Sequence, residues 1–233
     1  HAVTHVPFYR ELGIRAADIQ SPADLARFPI LTKAEIQRQG SRMLTEGLAP
    51  SDLHWSRTSG SSGEPTSTAF DHDAWLMTRY VLKIRRLFAL TGFRPGQRVL
   101  IVTEARPEEL GELGEAAPGG VPGFRQKFIS IHAPFEQHVE TLVSWRPTAL
   151  YAYPSWLTEL LDTARAMRRE LPKIPVVFTS SEVLTMGVRA RVRSALGCKV
   201  CDIYGSTEFK EVAWQCEHGR YHVNFESVWI EPL

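Results

Sequence analysis

A stretch rich in serine, threonine and glycine is the sharpest local feature of the sequence. Residues 58–66 read Thr-Ser-Gly-Ser-Ser-Gly-Glu-Pro-Thr, with two glycines and five hydroxyl side chains. Backbone amides and hydroxyls in such a loop can converge on one anion, and phosphate is the natural candidate. A flexible turn between two strands is the alternative interpretation of this composition. The candidate phosphate ligands are Thr58, Ser59, Gly60, Ser61, Ser62 and Gly63.

Two familiar catalytic loops do not explain this stretch. A Walker A loop ends in Gly-Lys-Ser/Thr and leads into a helix, whereas this loop lacks the lysine and leads into a predicted strand. A P-loop kinase or GTPase is therefore excluded. No Gly-x-Ser-x-Gly occurs in the sequence, so a serine-hydrolase nucleophile elbow is unsupported as well.

A second polar motif, Asp-Ile-Tyr-Gly-Ser-Thr-Glu, occupies residues 202–208 at the end of a predicted strand. Tyr204 offers a flat face for a base, and Gly205 lets the backbone turn and approach a ligand closely. Thr207 supplies a hydroxyl, and Glu208 supplies the hard oxygen that Mg²⁺ prefers. If this motif stood alone, a strand-ending turn with a solvated glutamate would explain it better.

Cysteine and histidine spacing raises the question of a metal. Cys198 and Cys201 have CxxC spacing, but they lie on a predicted strand, where positions three apart point to opposite faces. Cys216 and His222 flank a predicted hairpin turn and could converge on zinc, with His218 nearby. Ordinary hairpin residues are the favoured interpretation. Three further histidines show no partner by sequence and are interpreted as surface or core residues: His72, His132 and His138.

Strands and helices alternate through the region that must position these motifs. This alternation is typical of an α/β fold with layered, mostly parallel sheets and flanking helices, in which ligands gather at the carboxyl ends of strands. Residues 202–208 lie at such an end. A β-hairpin at residues 212–216 and 221–230 is predicted to follow. The alternating strands are predicted at residues 98–103, 128–131, 148–152, 176–179 and 199–204, and the helices at residues 135–145, 155–169 and 185–196.

The beginning of the chain has a different pattern, with helix starts rather than strands. Ser21 precedes a proline, which suits the first helical position. Thr32 has a glutamate three residues later, the spacing of a capping box. We therefore predict a helical N-terminal region at residues 1–52.

The predicted core begins with two short extended segments around the Ser/Gly stretch. Residues 53–58 alternate with the period of a strand, and residues 67–70 are predicted to be extended. Asp71 can cap a long helix that Gly92 ends. The α/β core is accordingly predicted to span residues 53–233.

Composition and charge exclude several classes of function. The 27 basic and 26 acidic residues nearly cancel, and no basic stripe is present, so nucleic acid is a poor partner. Apolar runs such as residues 99–102 fall far short of the roughly 20 residues that a membrane helix requires. No secretory signal is evident, and three cysteines do not make a disulfide framework. We expect a cytoplasmic protein, and the sequence leaves its oligomeric state open.

The two polar motifs together resemble those of adenylate-forming enzymes. Residues 58–65 are similar to the Ser/Thr/Gly-rich phosphate loop of that superfamily, and residues 204–208 to its Tyr-Gly-x-Thr-Glu motif. Between them, residues 179–182 look like the adenine-binding turn of the phenylacetate–coenzyme A ligase branch. Segments at residues 6–10 and 29–33 are also similar to that branch. The resemblance covers essentially the whole chain and implies the large N-terminal domain of such a ligase.

The resemblance implies an AMP-forming acid–thiol ligase. A substrate carboxylate would attack the α-phosphate of ATP, giving an acyl-adenylate and pyrophosphate, and the acyl group would usually pass to a thiol such as coenzyme A. Positioning and charge stabilisation dominate phosphoryl chemistry, so amides, hydroxyls and Mg²⁺ are suitable tools. ATP, Mg²⁺, coenzyme A and a small-molecule carboxylic acid are the expected ligands, and the identity of the acid is open.

The resemblance also assigns roles to residues. Thr207 would contact the α-phosphate, Glu208 would bind Mg²⁺, and residues 59–63 would hold the β- and γ-phosphates. The remaining nucleotide-binding residues would be Ser181, Glu182, Asp202, Tyr204, Gly205 and Ser206, and the acyl pocket would be walled by Tyr153, Pro154, Ser155 and Ile203.

The sequence departs from the family pattern in two places. Glu64 stands where many members have a lysine in the phosphate loop, which removes one positive contact to the phosphates. The family continues with a ribose-binding aspartate and a mobile domain carrying a catalytic lysine, and neither follows before Leu233. Cysteines that would complete a zinc site with Cys216 and His222 in some relatives are absent as well. We therefore expect little or no turnover from this chain alone.

A different class of function stays open beside the ligase. A non-catalytic nucleotide-binding or interaction module, derived from such a ligase, would keep the sheet and the phosphate loop without the mobile domain. The Tyr-Gly-Ser-Thr-Glu motif at residues 204–208 favours the enzyme, since a degenerate module has no need of Glu208.

Overall fold

The structure, a computed structural model, describes residues 1–57, 65–78, 82–91, 96–105 and 125–231. The chain divides into two compact units, which are described separately. The sequence-predicted boundary between residues 52 and 53 does not coincide with this division and stays a prediction. The first unit comprises His1–Tyr80, Thr207–Lys210 and Trp229–Leu233, and the second comprises Val81–Ser206 and Glu211–Val228.

Short helices with polar caps make up much of the first unit. The hydroxyl of Thr32 accepts a hydrogen bond from the amide of Glu35 at 3.2 Å, and Asp71 accepts one from Ala74 at 2.7 Å. Both predicted caps are therefore confirmed. The helices are α1 (Ala2–His5), α2 (Pro7–Arg10), α3 (Lys33–Gln39) and α4 (His72–Leu76), with 3₁₀ turns at Ala16–Asp18, Pro22–Arg27, Gly40–Met43 and Pro50–Asp52.

An antiparallel hairpin completes the first unit. Strand β1 (His54–Arg57) pairs with β2 (Ser67–Phe70), and Arg57 lies opposite Ser67 at the end where the intervening loop begins. On β1, His54 and Ser56 are half-buried while the alternate residues are exposed. One face of this hairpin is thus covered, as the period-2 pattern predicts.

The second unit is organised around a sheet of seven strands in the order β4-β3-β5-β6-β7-β8-β9. Strands β4, β3, β5, β6 and β7 are parallel to one another, and β8 pairs with β9 in the antiparallel sense. The mostly parallel α/β sheet with a terminal hairpin is therefore confirmed. The strands are β3 (Arg98–Thr103), β4 (Arg125–Ser130), β5 (Ala149–Ala152), β6 (Val176–Thr179), β7 (Lys199–Ser206), β8 (Lys210–Gln215) and β9 (Tyr221–Val223).

Apolar side chains cover both faces of this sheet, because parallel strands are buried on both sides. One cluster includes Leu150 and Val177 and packs against three helices, while a second on the opposite face includes Val99 and Phe178. The pattern of β7 follows this division: Cys198 precedes it in the first cluster and Cys201 lies in the second. The helices are α5 (Leu82–Thr91), α6 (Phe135–Trp145), α7 (Pro154–Ala166) and α8 (Met186–Leu196).

A histidine lies within the first apolar cluster, on α6. His138 is 1% exposed, and its Nε2 lies 2.9 Å from the carbonyl oxygen of Ser130. The indole Nε1–H of Trp156 donates to His138 Nδ1 at 3.2 Å. Since Nδ1 accepts, the ring is neutral with its proton on Nε2. Burial lowers the pKa of His138, in keeping with that neutral form.

The hairpin differs from its prediction in the length of its second strand. Strand β9 ends at Val223, although it was predicted to continue to residue 230. The reason is Asn224, which is fully buried and donates from Nδ2 to the carbonyl oxygen of Glu211 at 2.9 Å. Arg86 on α5 also donates to the Asn224 side chain. The chain turns at this anchored residue, because the carbonyl oxygen of Asn224 accepts hydrogen bonds from the amides of Ser227 at 2.9 Å and Val228 at 3.0 Å, and the strand ends there.

No helix in the described ranges is long and apolar enough to cross a membrane.

Candidate functional site

The carboxyl end of β7 carries the first part of the polar motif, in the second unit. Asp202 is buried: Thr179 donates its hydroxyl to Oδ1 at 2.5 Å, and Tyr221 donates its hydroxyl to Oδ2. Desolvation, together with the Asp202 carboxylate, raises the pKa of Tyr221 to about 12. Both carboxylate oxygens of Asp202 are therefore engaged with β6 and β9, which fixes the strand that presents the next residues.

Beyond Asp202 the strand emerges into solvent. The ring of Tyr204 is 63% exposed, and Gly205 and Ser206 are exposed as well. An exposed aromatic face on a rigid strand is a suitable stacking surface for a flat base. Ile203 points the other way: it is 4% exposed and packs in the second apolar cluster with Phe178. Its side chain belongs to the core of the sheet.

The end of the motif belongs to the first unit. Thr207 and Glu208 are half-buried in the turn between β7 and β8. Proteins commonly hold Mg²⁺ through one or two carboxylates together with substrate phosphates, so one carboxylate in this position fits that ion. Lys210, two residues later, donates to the hydroxyl of Ser56 on β1 at 2.5 Å. Sequence reasoning did not identify Lys210, because a pairing between distant segments has no local signal.

The predicted adenine-binding turn and part of the predicted acyl pocket meet in the second unit. Oε2 of Glu182 accepts the amide hydrogen bond of Ser155 at 2.8 Å, and Oε1 accepts from the Ser155 hydroxyl at 2.7 Å. The carboxylate thus satisfies a free amide at the beginning of α7, where Pro154 occupies the first helical position. Ser181, next to it, has a left-handed backbone with φ of 70°. This geometry turns the chain sharply after β6.

A cavity of about 540 Å³ opens beside this turn. Burial, with smaller contributions from the carboxylates of Glu104 and Glu182, raises the pKa of Tyr153 to about 12, so its phenol is neutral at physiological pH. The lining of the cavity combines aromatic rings with the carboxylates of glutamates. The lining residues are Glu104, Ile131, Phe135, Tyr153, Ser155, Trp156, Glu159, Ser181 and Glu182.

Six residues were predicted for the acyl pocket and for the adenine-binding turn at Ser181 and Glu182. Four of them line this one cavity, and two do not. Tyr153, Ser155, Ser181 and Glu182 are brought together, whereas Pro154 and Ile203 are not among the lining residues. Sequence analysis missed five lining residues. One of them had a usable signal, because Glu104 directly follows β3 at the carboxyl end of a parallel strand.

The candidate zinc ligands form a pair. Cys216 makes a side-chain hydrogen bond with His222, and this contact holds the pKa of the Cys216 thiol below its usual value. Within the described part of the chain, no group of three or more His, Cys, Asp and Glu side chains is arranged to bind a metal. Burial raises the pKa of Cys198 to about 11 and that of Cys201 to about 12, so both stay thiols. Cys216 is accordingly a half-buried thiol with a lowered pKa, hydrogen-bonded to His222.

The predicted phosphate loop, with Thr58, Ser59, Gly60, Ser61, Ser62, Gly63 and Glu64, lies outside the described residues. The structure describes the strands on either side of it in sequence, β1 and β2, whose last pair is Arg57 opposite Ser67. Nε of Arg57 donates to the Ser67 hydroxyl at 3.3 Å. A strand follows the loop, in agreement with the exclusion of a Walker A motif.

Comparisons with solved structures show which proteins share this fold. No protein-family model matches the chain. The solved structure of 2-hydroxyisobutyryl-CoA ligase, in complex with 2-HIB-AMP and CoA, is similar with a TM-score of 0.71 and 23% identity, covering 94% of this chain and 54% of that one. VinN has a TM-score of 0.53 at 22% identity, covering 80% and 46% of the two chains. The fold is that of the adenylate-forming ligases.

Sequence similarity points to one branch of that class. The chain is 24% identical to phenylacetate-coenzyme A ligase of Aromatoleum evansii over 218 residues, which is 89% of this chain and 48% of the relative. The resemblance to this branch, stated above from the motifs, is confirmed. The chain spans about half the length of the relatives that it matches.

Proposed function

We propose that this chain provides the ATP-binding part of an AMP-forming acid–thiol ligase. The observation that carries the proposal is the Tyr-Gly-Ser-Thr-Glu motif at residues 204–208, which leaves the carboxyl end of β7 in a fold shared with a CoA ligase. The solved structure of that ligase is a complex with 2-HIB-AMP and CoA. The reaction would be activation of a carboxylic acid to an acyl-adenylate, followed by thioester formation with coenzyme A.

Each half of the motif would have its own role. Tyr204 would stack on the adenine, beside Ser181 and Glu182, and Asp202 would support the strand from within. Thr207 would donate its hydroxyl to the α-phosphate, and Glu208 would hold Mg²⁺. When bound, Mg²⁺ would neutralise charge that develops on the phosphates. The loop at residues 58–63 would supply further donors to the β- and γ-phosphates.

The cavity beside α7 is proposed to receive the acid. Tyr153 and Ser155 line it together with the aromatic rings of Phe135 and Trp156, which suits an acid with an apolar body. The hydrogen bond from the Ser155 amide to the Glu182 carboxylate links the proposed adenine turn to this wall. Phenylacetate itself is the substrate named for the relative and is not assigned to this chain. A cytoplasmic location belongs to the proposal too, supported by three cysteines that are all free.

Isothermal titration of the chain with ATP in the presence of Mg²⁺ tests the nucleotide site. We expect saturable binding, which Glu208→Ala weakens about tenfold or more, corresponding to about 1.4 kcal/mol. Without Mg²⁺ the two proteins should bind ATP alike, because the proposed carboxylate acts through the ion. Gly60→Val should weaken binding in both conditions.

The matched control is Glu217→Ala, which removes an exposed carboxylate paired with Lys199 in the hairpin turn. Its affinity for ATP should equal that of the wild type. Binding that is insensitive to Glu208→Ala, or no heat at millimolar ATP, would contradict the proposed site. Binding of ATP by a full-length protein that forms no AMP with any acid would indicate a non-catalytic module.

A further inference from the structure

Lys210 has an unusual backbone for its residue type. It follows the Thr207–Glu208 pair by two positions and begins β8, with φ of 60°. A side chain with a Cβ is unfavourable in this left-handed region and persists there only when its surroundings hold it. The contacts of Lys210 must therefore explain why this position has a lysine and not a glycine.

The ammonium group of Lys210 is held in a small box of aromatic rings and one hydroxyl. Nζ donates to Oγ of Ser56 at 2.5 Å. It also lies 4.9 Å from the centre of the Phe70 ring and 5.5 Å from that of Trp75, which are cation–π distances. The ring of His54 stacks on the ring of Trp75, with 5.0 Å between their centres, and so helps to fix the position of Trp75. All of these residues belong to the first unit.

Two of these partners flank the proposed phosphate loop, residues 58–63, in the sequence. Ser56 is two residues before the loop that begins at residue 58, and Phe70 closes the strand that follows this loop. Thr207 and Glu208 lie on the other side of Lys210 along the chain. One side chain therefore joins the turn with the proposed α-phosphate and Mg²⁺ ligands to strands β1 and β2 of the hairpin.

We propose that Lys210 is a positioning residue that attaches the turn of Thr207 and Glu208 to strand β1 and so holds these two proposed nucleotide ligands in place. This inference rests on the proposed function for its effect on nucleotide, while the attachment itself can be measured without nucleotide. Phosphate-binding groups act on a transferring phosphoryl group mainly through accurate placement. A residue that fixes the turn carrying two of these groups affects binding without touching the ligand.

Three substitutions separate the side chain from the backbone. Lys210→Met keeps much of the volume but removes the charge and the donor, and Lys210→Arg keeps a cation that can donate to Ser56 and stack on the rings. Lys210→Gly removes the side chain while it relieves the left-handed backbone. Lys127→Met, at an exposed position on β4, is the control for loss of one lysine.

The first measurement is hydrogen exchange without nucleotide. In Lys210→Met and Lys210→Gly, the amides of residues 207–210 should exchange about tenfold faster or more, since opening of the turn no longer breaks the contacts of the ammonium group. Exchange in β5 and β6 should stay as in the wild type, which shows that the fold is intact. Lys210→Arg should restore most of the protection. If the amides of residues 207–210 exchanged at the wild-type rate in both Lys210→Met and Lys210→Gly, the Lys210 side chain would not attach this turn to β1.

The second measurement is the dissociation constant for ATP with Mg²⁺. Lys210→Met and Lys210→Gly should raise it about tenfold, and Lys210→Arg should stay within about threefold of the wild type and of Lys127→Met. Faster exchange with unchanged affinity would overturn the positioning role while leaving the nucleotide site intact. Absence of binding by the wild type would refute the proposed function, and the role of Lys210 towards nucleotide with it, whereas hydrogen exchange would still decide the attachment.

Discussion

The parallel sheet of the second unit and the β1–β2 hairpin of the first are stabilised in different ways. Central strands of the sheet are covered on both faces, and Leu150, Val176 and Val177 have no exposed surface. The hairpin relies on a cation, a hydroxyl and ring contacts around Lys210. Regions with few buried apolar contacts open at lower cost in free energy. The parallel sheet is therefore stabilised mainly by buried apolar side chains. The β1–β2 hairpin and the turn of Thr207 and Glu208, which are proposed to lie at the phosphate site, are held together by polar contacts and by contacts with aromatic rings.

The largest expected effect is in the apolar core of the sheet. Leu150→Ala removes a fully buried side chain from β5 and should lower the free energy of unfolding by about 2–5 kcal/mol, through lost burial and the cavity left behind. Urea denaturation measures this change. Val183→Ala, at a side chain that is 86% exposed, should change stability by less than about 0.5 kcal/mol. If both substitutions lowered the free energy of unfolding equally, the apolar core of the sheet would not be its main source of stability.

A polar contact within the sheet should have the next largest effect. Tyr221→Phe removes the hydroxyl that donates to the buried carboxylate of Asp202 and leaves one oxygen without this donor. The free energy of unfolding should fall by about 1–3 kcal/mol. Tyr204→Phe is the matched control, because that ring is 63% exposed at the end of the same strand. If Tyr221→Phe were as mild as Tyr204→Phe, Asp202 would not anchor β7 to β9.

Acid should weaken the sheet through His138. Burial lowers the pKa of His138 from its ordinary value near 6.5, so the unfolded chain binds the proton more readily than the folded one. The stabilisation is complete above pH 6.5 and is lost as pH falls towards the folded pKa, by up to about 1.4 kcal/mol per pH unit. Thermal or urea unfolding between pH 7.5 and 5 measures this slope.

The His138→Gln variant, although less stable overall, should show a shallower loss over that pH range. His218→Gln removes a histidine from the exposed hairpin turn and should keep the slope of the wild type. A wild-type slope that persists in His138→Gln would show that another group is responsible.

The smallest effect on stability is expected at the half-buried thiol of the hairpin, Cys216. Cys216 should react with iodoacetamide at pH 7 at least about tenfold faster than Cys198 and Cys201, because it is only half-buried, whereas they are buried, and its pKa is lowered by His222. His222→Gln should slow the alkylation of Cys216 without changing the free energy of unfolding. Mass spectrometry of the labelled peptides provides the rates, and equal rates for all three cysteines would contradict the burial of the other two.

Local signals in the sequence predicted most of the sheet and its helices. The apolar run at residues 176–179 corresponds to β6 in full, and the cap at Thr32 begins α3 as expected. A helix predicted from Asp71 to Gly92 is described as α4 and α5, with residues 79–81 outside the described ranges. These features depend on periodicity and on caps, which act over a few residues.

Long-range contacts were the part that sequence could not provide. The end of β9 at Val223 depends on the burial of Asn224 against Arg86, and nothing near Asn224 in sequence indicates that partner. Similarly, the hydrogen bond from Ser155 to Glu182 and the box around Lys210 join segments far apart in the chain. The candidate site was therefore predicted as a set of motifs, without the contacts that hold them in place.

Hydrogen exchange of the wild-type chain, with and without ATP and Mg²⁺, tests the central claim most directly. If residues 204–210 bind the nucleotide, their amides should exchange several-fold more slowly in its presence, while strands β5 and β6 keep the rates that their burial sets. Protection confined to residues 204–210 and the segments around residues 54–70 and 181–182 is the predicted result. Unchanged exchange at residues 204–210 under millimolar ATP and Mg²⁺ would contradict the account.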